Sequence, residues 1–236
     1  VTTASVRTCF READPSLALP RRVVVEGLGT MLLVLVTSSS GIAASRLLPA
    51  HPGAVTVLVA VTVAGALVSL IVSLGRISGG HYNPLITSLQ FLAGERSARC
   101  TAAYVLAQML GGIIGGGAAA VLWRASPPLV GGLGWAGFPS EFVASIGLML
   151  VVFGASRSNQ LESGPFAVGA WLVGAVIATP TGSYANPAVV AGATVTAGPL
   201  AMSLQSAVPY VVAESGGALV ALLLVSVIFS SKQVIE

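Results

Sequence analysis

Asn-Pro occurs twice in this chain, at Asn83-Pro84 and Asn186-Pro187, and each pair opens an apolar stretch too short to cross a bilayer. Asparagine is a favoured helix N-cap, and proline suits the first helical position, where no N–H is needed. Both dipeptides therefore read as helix starts. The stretches they open, 83–94 and 186–198, would reach only about 15–20 Å as helices. That is half a bilayer, and short apolar segments of this kind are candidates for re-entrant helices.

The rest of the chain supplies the membrane. Six apolar runs are long enough to be read as spans: about 23–44, 54–75, 101–123, 139–156, 165–180 and 207–229, the fifth being the shortest. Only 8% of the residues are charged and 55% are hydrophobic, whereas a soluble domain is about 25% charged. This excludes a cytosolic enzyme, a disordered tail and a disulfide scaffold. A polytopic all-α membrane protein remains, and its 28 glycines suit close helix approach. The net charge of +3 comes from scattered residues and gives no patch for nucleic acid. Cys9, Cys100, His51 and His81 show no metal-ligand spacing, so no metal is expected and the two cysteines read as free thiols.

Basic residues orient the spans. Arg7, Arg11, Arg21, Arg22, Arg76, Arg96, Arg99, Arg157 and Lys232 fall on one side of the span pattern, and only Arg46 and Arg124 on the other. The expectation is an integral inner-membrane protein with both termini cytoplasmic. Residues 1–19 would form a polar N-terminal tail, 20–230 one membrane domain, and 231–236 a C-terminal tail.

The two halves match. Glu26 corresponds to Glu141, 115 positions on; Asn83 to Asn186, 103 on; Gln108 to Glu214, 106 on. Repeat one covers about 20–124 and repeat two about 136–230. Each holds three spans and one half-helix. Three is odd, so the second repeat must be inverted relative to the first. Inverted repeats with broken helices place a transport site near the midplane. Half-helices entering from opposite faces would bring their N-termini together there, each with about +0.5 of dipole charge. The Asn83 and Asn186 amides could donate to a passing solute, while the positive centre repels protons and cations.

These features, with the segments SGGHYNPL and SYANPA and the paired Glu26 and Glu141, resemble the major intrinsic protein (aquaporin) family over about residues 20–230. The resemblance implies six transmembrane helices plus two re-entrant half-helices, one pore per subunit, and a homotetramer in lipid. It implies a pore centre at Asn83, Pro84, Leu85, Asn186, Pro187 and Ala188. It further implies that Glu26 and Glu141 brace the re-entrant loops and that His81 lines a vestibule. The selectivity filter would fall on Val63, Gly174 (or Ala175), Ser183 and Val189.

Two residues depart from the family pattern. Leu85 stands where the first motif usually has alanine, and would narrow or reshape the pore centre. Val189 stands where the filter usually has arginine. The implied filter is small and uncharged, suited to solutes larger than water. The stretches PFAVGAW, SYANPAVV and VPYVVAE are similar to bacterial channels found with arsenic-resistance genes, which have valine at the arginine position. That resemblance implies passage of arsenite as neutral As(OH)3, methylated arsenicals, glycerol-like polyols and water, with no cofactor.

Three rival readings stay open at this point: a gradient-driven secondary transporter using Glu26, Glu141 or Glu214 as relays, an ion channel, and a water-selective aquaporin. An enzyme is not expected, because no nucleophile–base set or metal cluster is visible. Gly111 with Gly115, and Gly112 with Gly116, have the spacing of close helix contacts. Glu214, where its repeat mate Gln108 is an amide, has a role only in the transporter reading.

Overall fold

The computed structural model describes residues 17–125 and 131–229. The expected tails therefore lie largely outside the described residues, with Cys9, Arg7, Arg11 and Lys232. The described chain is all helical: α1 (Leu19–Leu47), α2 (Pro52–Ser78), α3 (Pro84–Leu92), α4 (Ala98–Leu122), a 3-10 turn (Gly134–Gly137) running into α5 (Phe138–Arg157), α6 (Gly164–Ala178), α7 (Pro187–Ala193) and α8 (Leu204–Ile228). Of these, α1, α2, α4, α5 with its 3-10 turn, and α8 are long and apolar enough to cross a membrane.

The run read from the sequence as about 165–180, the shortest of the six, is helix α6 (Gly164–Ala178). Helix α6 has 15 residues, about 22 Å. It stops at Thr179, which is extended (φ −110°, ψ 139°). The residue before a proline is pushed out of helical backbone, and Pro180 follows. The chain then runs non-helically to Asn186 and into α7.

Equivalent contacts recur in the two halves. The most extensive helix pairs are α1 with α4 and α5 with α8. Bare backbone makes them possible. A Cβ added at Gly111 or Gly115 would sit 2.3 Å from the carbonyl oxygen of Gly27 or Met31 on α1, and one at Gly217 would sit 2.3 Å from that of Phe142 on α5. Gly112 and Gly116 instead face α7, where an added Cβ would lie 2.1 and 2.2 Å from the Ala188 and Gly192 carbonyls. The N-caps repeat too. Ser97 Oγ accepts the Cys100 N–H at the start of α4, and Ser203 Oγ accepts the Ser206 N–H at the start of α8.

Candidate functional site: two facing Asn-Pro turns beside a long cavity

The half-helices α3 and α7 meet head to head, and the two asparagines lock them. Asn83 Oδ1 accepts the Leu85 N–H (2.9 Å), and Asn186 Oδ1 accepts the Ala188 N–H (3.0 Å). Each amide nitrogen then crosses to the opposite turn. Asn83 Nδ2 donates to the Ala185 carbonyl and Asn186 Nδ2 to the Tyr82 carbonyl, both at 2.9 Å. One amide proton of each asparagine is thus structural. The second is available to the cavity, which both residues line.

The turns that lead into these caps are not helical. Gly80 and Tyr82 in the first, and Ser183 and Ala185 in the second, have φ between +44° and +65°. Such backbone inside a bilayer leaves N–H groups without partners unless a side chain supplies an acceptor. Glu26 does so for the first turn. Its carboxylate accepts from Ser78 Oγ (2.6 Å), the His81 N–H (3.0 Å), the Tyr82 N–H (2.8 Å) and Gln108 Nε2 (2.7 Å). Glu141 accepts the Tyr184 and Ala185 N–H groups at 3.1 and 2.8 Å, and Glu214 accepts the Asn186 N–H at 3.0 Å. All three glutamates are fully buried.

Beside the turns lies a cavity of about 340 Å³. Its apolar walls are helical stripes at i, i+4 spacing: Val55, Val59, Val63, Leu67 and Ile71 on α2, and Val168, Leu172 and Val176 on α6, with Leu148 and Val152 of α5. From Val55 to Ile71 is sixteen helical steps, about 24 Å, most of a hydrocarbon core. The other wall is polar, made by Gly80, His81 and Asn83 from the first turn and Thr181, Ser183 and Asn186 from the second. Ser183 Oγ is buried without a partner and so keeps its hydrogen-bonding capacity for the cavity. Val189, in the first turn of α7, also lines it.

Several residues stand elsewhere than the sequence reading put them. Leu85 is not a lining residue. Its side chain joins an apolar cluster with Ala144 and Leu148 of α5 and Ala218 of α8, so it fills a packing space rather than narrowing the pore; Ile86 is the α3 residue at the cavity. Gly174 is exposed, and an added Cβ would meet nothing within 4 Å. On α6 the lining face carries Leu172 and Val176; Gly174 lies two helical steps from each, on the far side. Ala175 is buried but does not line the cavity. Pro84, Pro187 and Ala188 shape the half-helices without lining it.

The sequence reading missed one arrangement at the α3 end. Arg96 lies against the His81 ring, with its guanidinium 3.5 Å from Nε2, and it also donates to Gln90 Oε1 and stacks over Tyr104. Arginine only donates, so Nε2 is the acceptor and Nδ1 carries the proton toward Thr87 Oγ1 at 2.9 Å. Burial, then the Arg96 charge, hold His81 well below the usual histidine range. Tyr82 was also missed; its ring packs on Gly29 of α1, where an added Cβ would lie 2.1 Å from the ring.

Inverted halves, two half-helices joined at their N-termini and a membrane-long cavity beside them define a transmembrane channel. Residues 15–184 match the sequence profile of the Major intrinsic protein family, a match that stops just short of Asn186. This chain belongs to that family. It is 37% identical over 175 residues to the aquaglyceroporin AqpS of Rhizobium meliloti, covering 72% of this chain and 74% of the relative. It is 32% identical over 188 residues to a probable TIP-type aquaporin of Medicago truncatula, covering 73% and 74%. The fold is similar to the X-ray structure of the aquaglyceroporin from Plasmodium falciparum (TM-score 0.69, 17% identity, 89% of this chain and 97% of that one). The chain is an integral multi-pass membrane channel for small solutes and not an enzyme.

Proposed function

We propose that this channel passes small uncharged hydroxylated solutes, namely arsenite as As(OH)3, methylated arsenicals and glycerol-like polyols, with water alongside. One observation carries the reading: among the described lining residues there is no arginine, lysine, aspartate or glutamate. Val63, Val176, Ser183 and Val189 set the width with small uncharged side chains. A neutral triol then trades water for Asn83, Asn186 and Ser183 on one wall while its apolar side slides along the other. Without an arginine the site loses a fixed charge and several donors, so it selects by size and neutrality. Cation exclusion rests on the half-helix N-termini at the centre. Glu26 serves as a brace rather than a relay, because four donors already occupy its carboxylate.

The same reading places the protein in the inner membrane as a homotetramer with cytoplasmic termini. Charge placement supports the orientation: Arg21, Arg22, Arg76, Arg96, Arg99 and Arg157 flank one set of helix ends, and Arg46 and Arg124 the other.

Light-scattering flux in proteoliposomes tests it, with glycerol, As(OH)3 and water measured with and without an uncoupler. The expected result is fast solute flux indifferent to the uncoupler. Val189→Arg should then cut glycerol and arsenite flux about tenfold or more, a barrier of about 1.4 kcal/mol, with water flux less affected. Water flux alone in the parent protein overturns the wide-filter reading. Flux abolished by the uncoupler overturns the passive pore in favour of a driven transporter.

A further inference from the structure

Glu214 has a buried oxygen that the pore does not use. Its Oε1 accepts the Asn186 N–H, while its Oε2 has no partner although the side chain is fully buried. Glu141, on α5, accepts the N–H groups of Tyr184 and Ala185. Two carboxyl groups thus serve three consecutive peptide N–H groups of one turn, Tyr184 to Asn186, which brings them together at that turn. In the first turn the corresponding pair is a carboxylate and an amide: Gln108 Nε2 donates to Glu26 Oε2 at 2.7 Å.

An ionised Glu214 cannot do what Gln108 does, because a carboxylate only accepts; a protonated carboxyl donates. Two carboxylates sharing one site do not both ionise readily. Among the described residues of the elements around them, no cation stands near to offset them. On α5 the remaining charged side chain is Arg157, sixteen residues and about 24 Å from Glu141. On α8 the other titratable group is Tyr210, whose hydroxyl accepts the Leu133 N–H. Tyr184, in the turn itself, donates to the Leu200 carbonyl. Helices α3 and α7 and the 3-10 turn carry no ionisable side chain.

We propose that Glu214 is held as a neutral carboxylic acid whose Oε2 proton is shared with Glu141. The second Asn-Pro turn is then clamped by a proton where the first is clamped by an amide. The proton is taken from solvent as the helices pack and stays in place during permeation. Glu214 is a positioning residue: it fixes Asn186, which faces the solute.

The test combines infrared spectroscopy with water flux, so it does not depend on which solute is carried. In proteoliposomes at about pH 8, where exposed carboxyls are ionised, the parent protein should show a protonated-carboxyl stretch that disappears in Glu214→Gln. Glu214→Gln should keep water flux close to the parent, since its amide reproduces the donor. Glu214→Leu, which leaves the Asn186 N–H without an acceptor, should lose flux about tenfold or more. A parent spectrum without that band overturns the proposal. So does a Glu214→Gln protein that fails to fold or is as impaired as Glu214→Leu.

Discussion

The two Asn-Pro turns share a backbone and differ in almost everything that holds it. Each has left-handed residues one and three places before the asparagine, each asparagine caps its own half-helix, and each reaches across to the other turn. Yet the first turn hangs on one carboxylate with four donors, while the second divides its N–H groups between two carboxyl groups. The residue two places before the asparagine is His81 in one and Tyr184 in the other. Where α7 leans on Gly112, α3 puts Leu85 into an apolar cluster that includes Ala218. The lesson is that membrane burial fixes the requirement, an acceptor for each exposed N–H, and leaves open which side chains meet it.

The largest break in this comparison should come from the braces. Glu26→Ala leaves three buried donors, Ser78 Oγ and the His81 and Tyr82 N–H groups, unpartnered, each at about 1–3 kcal/mol, which together approach the ~5–15 kcal/mol net stability of a whole domain. Glu141→Ala removes fewer, and Glu214 remains nearby. Thermal unfolding in detergent should therefore show little folded Glu26→Ala protein and a destabilised but recoverable Glu141→Ala protein. Equal loss in both would mean that the halves are held alike. Packing comes next. Gly112→Ala drives a Cβ to 2.1 Å from the Ala188 carbonyl and should cost about 1–3 kcal/mol of overpacking. Ala218→Gly, at the equivalent place on α8, should cost only about 1 kcal/mol of helix propensity.

Much of this architecture is legible in the sequence because its signals are local. Asn-Pro marks a helix start wherever it falls, and a glutamate inside an apolar run demands partners. Rotational phase is not local in that sense. Counting back from Asn186 to Gly174 crosses the non-helical Thr179–Ala185 stretch, so the count loses register with α6. Helix α6 is apolar on every side, so no amphipathic stripe marks the face toward the cavity. Leu85 was misread for a related reason: one helical step turns a side chain by about 100°, enough to take position 85 from the cavity and bring Ile86 to it. The filter position on α6 gives the test of that correction. Val176→Phe should reduce glycerol flux severalfold while Gly174→Ala leaves it unchanged; the reverse outcome would restore Gly174 to the filter.

The smallest effect expected separates His81 from Tyr184. Tyrosine does not titrate near neutral pH, so the second turn is indifferent to it. His81 would be sensitive at its ordinary value, but burial and then Arg96 hold it low, so the ring stays neutral through the range in which a free histidine titrates. Flux through the parent channel should therefore be flat in that range. Arg96→Gln removes the second cause, so the His81 value rises toward the ordinary one and the ring begins to protonate as pH falls. A protonated ring loses its Nε2 acceptor and adds a positive charge to the polar wall at the α3 end. Glycerol flux in Arg96→Gln should then change modestly, by about twofold or less, below about pH 6, and the change should vanish in the double variant with His81→Phe. A pH dependence already present in the parent channel would show that Arg96 does not keep the histidine neutral and that the first turn is the one acidity can reach.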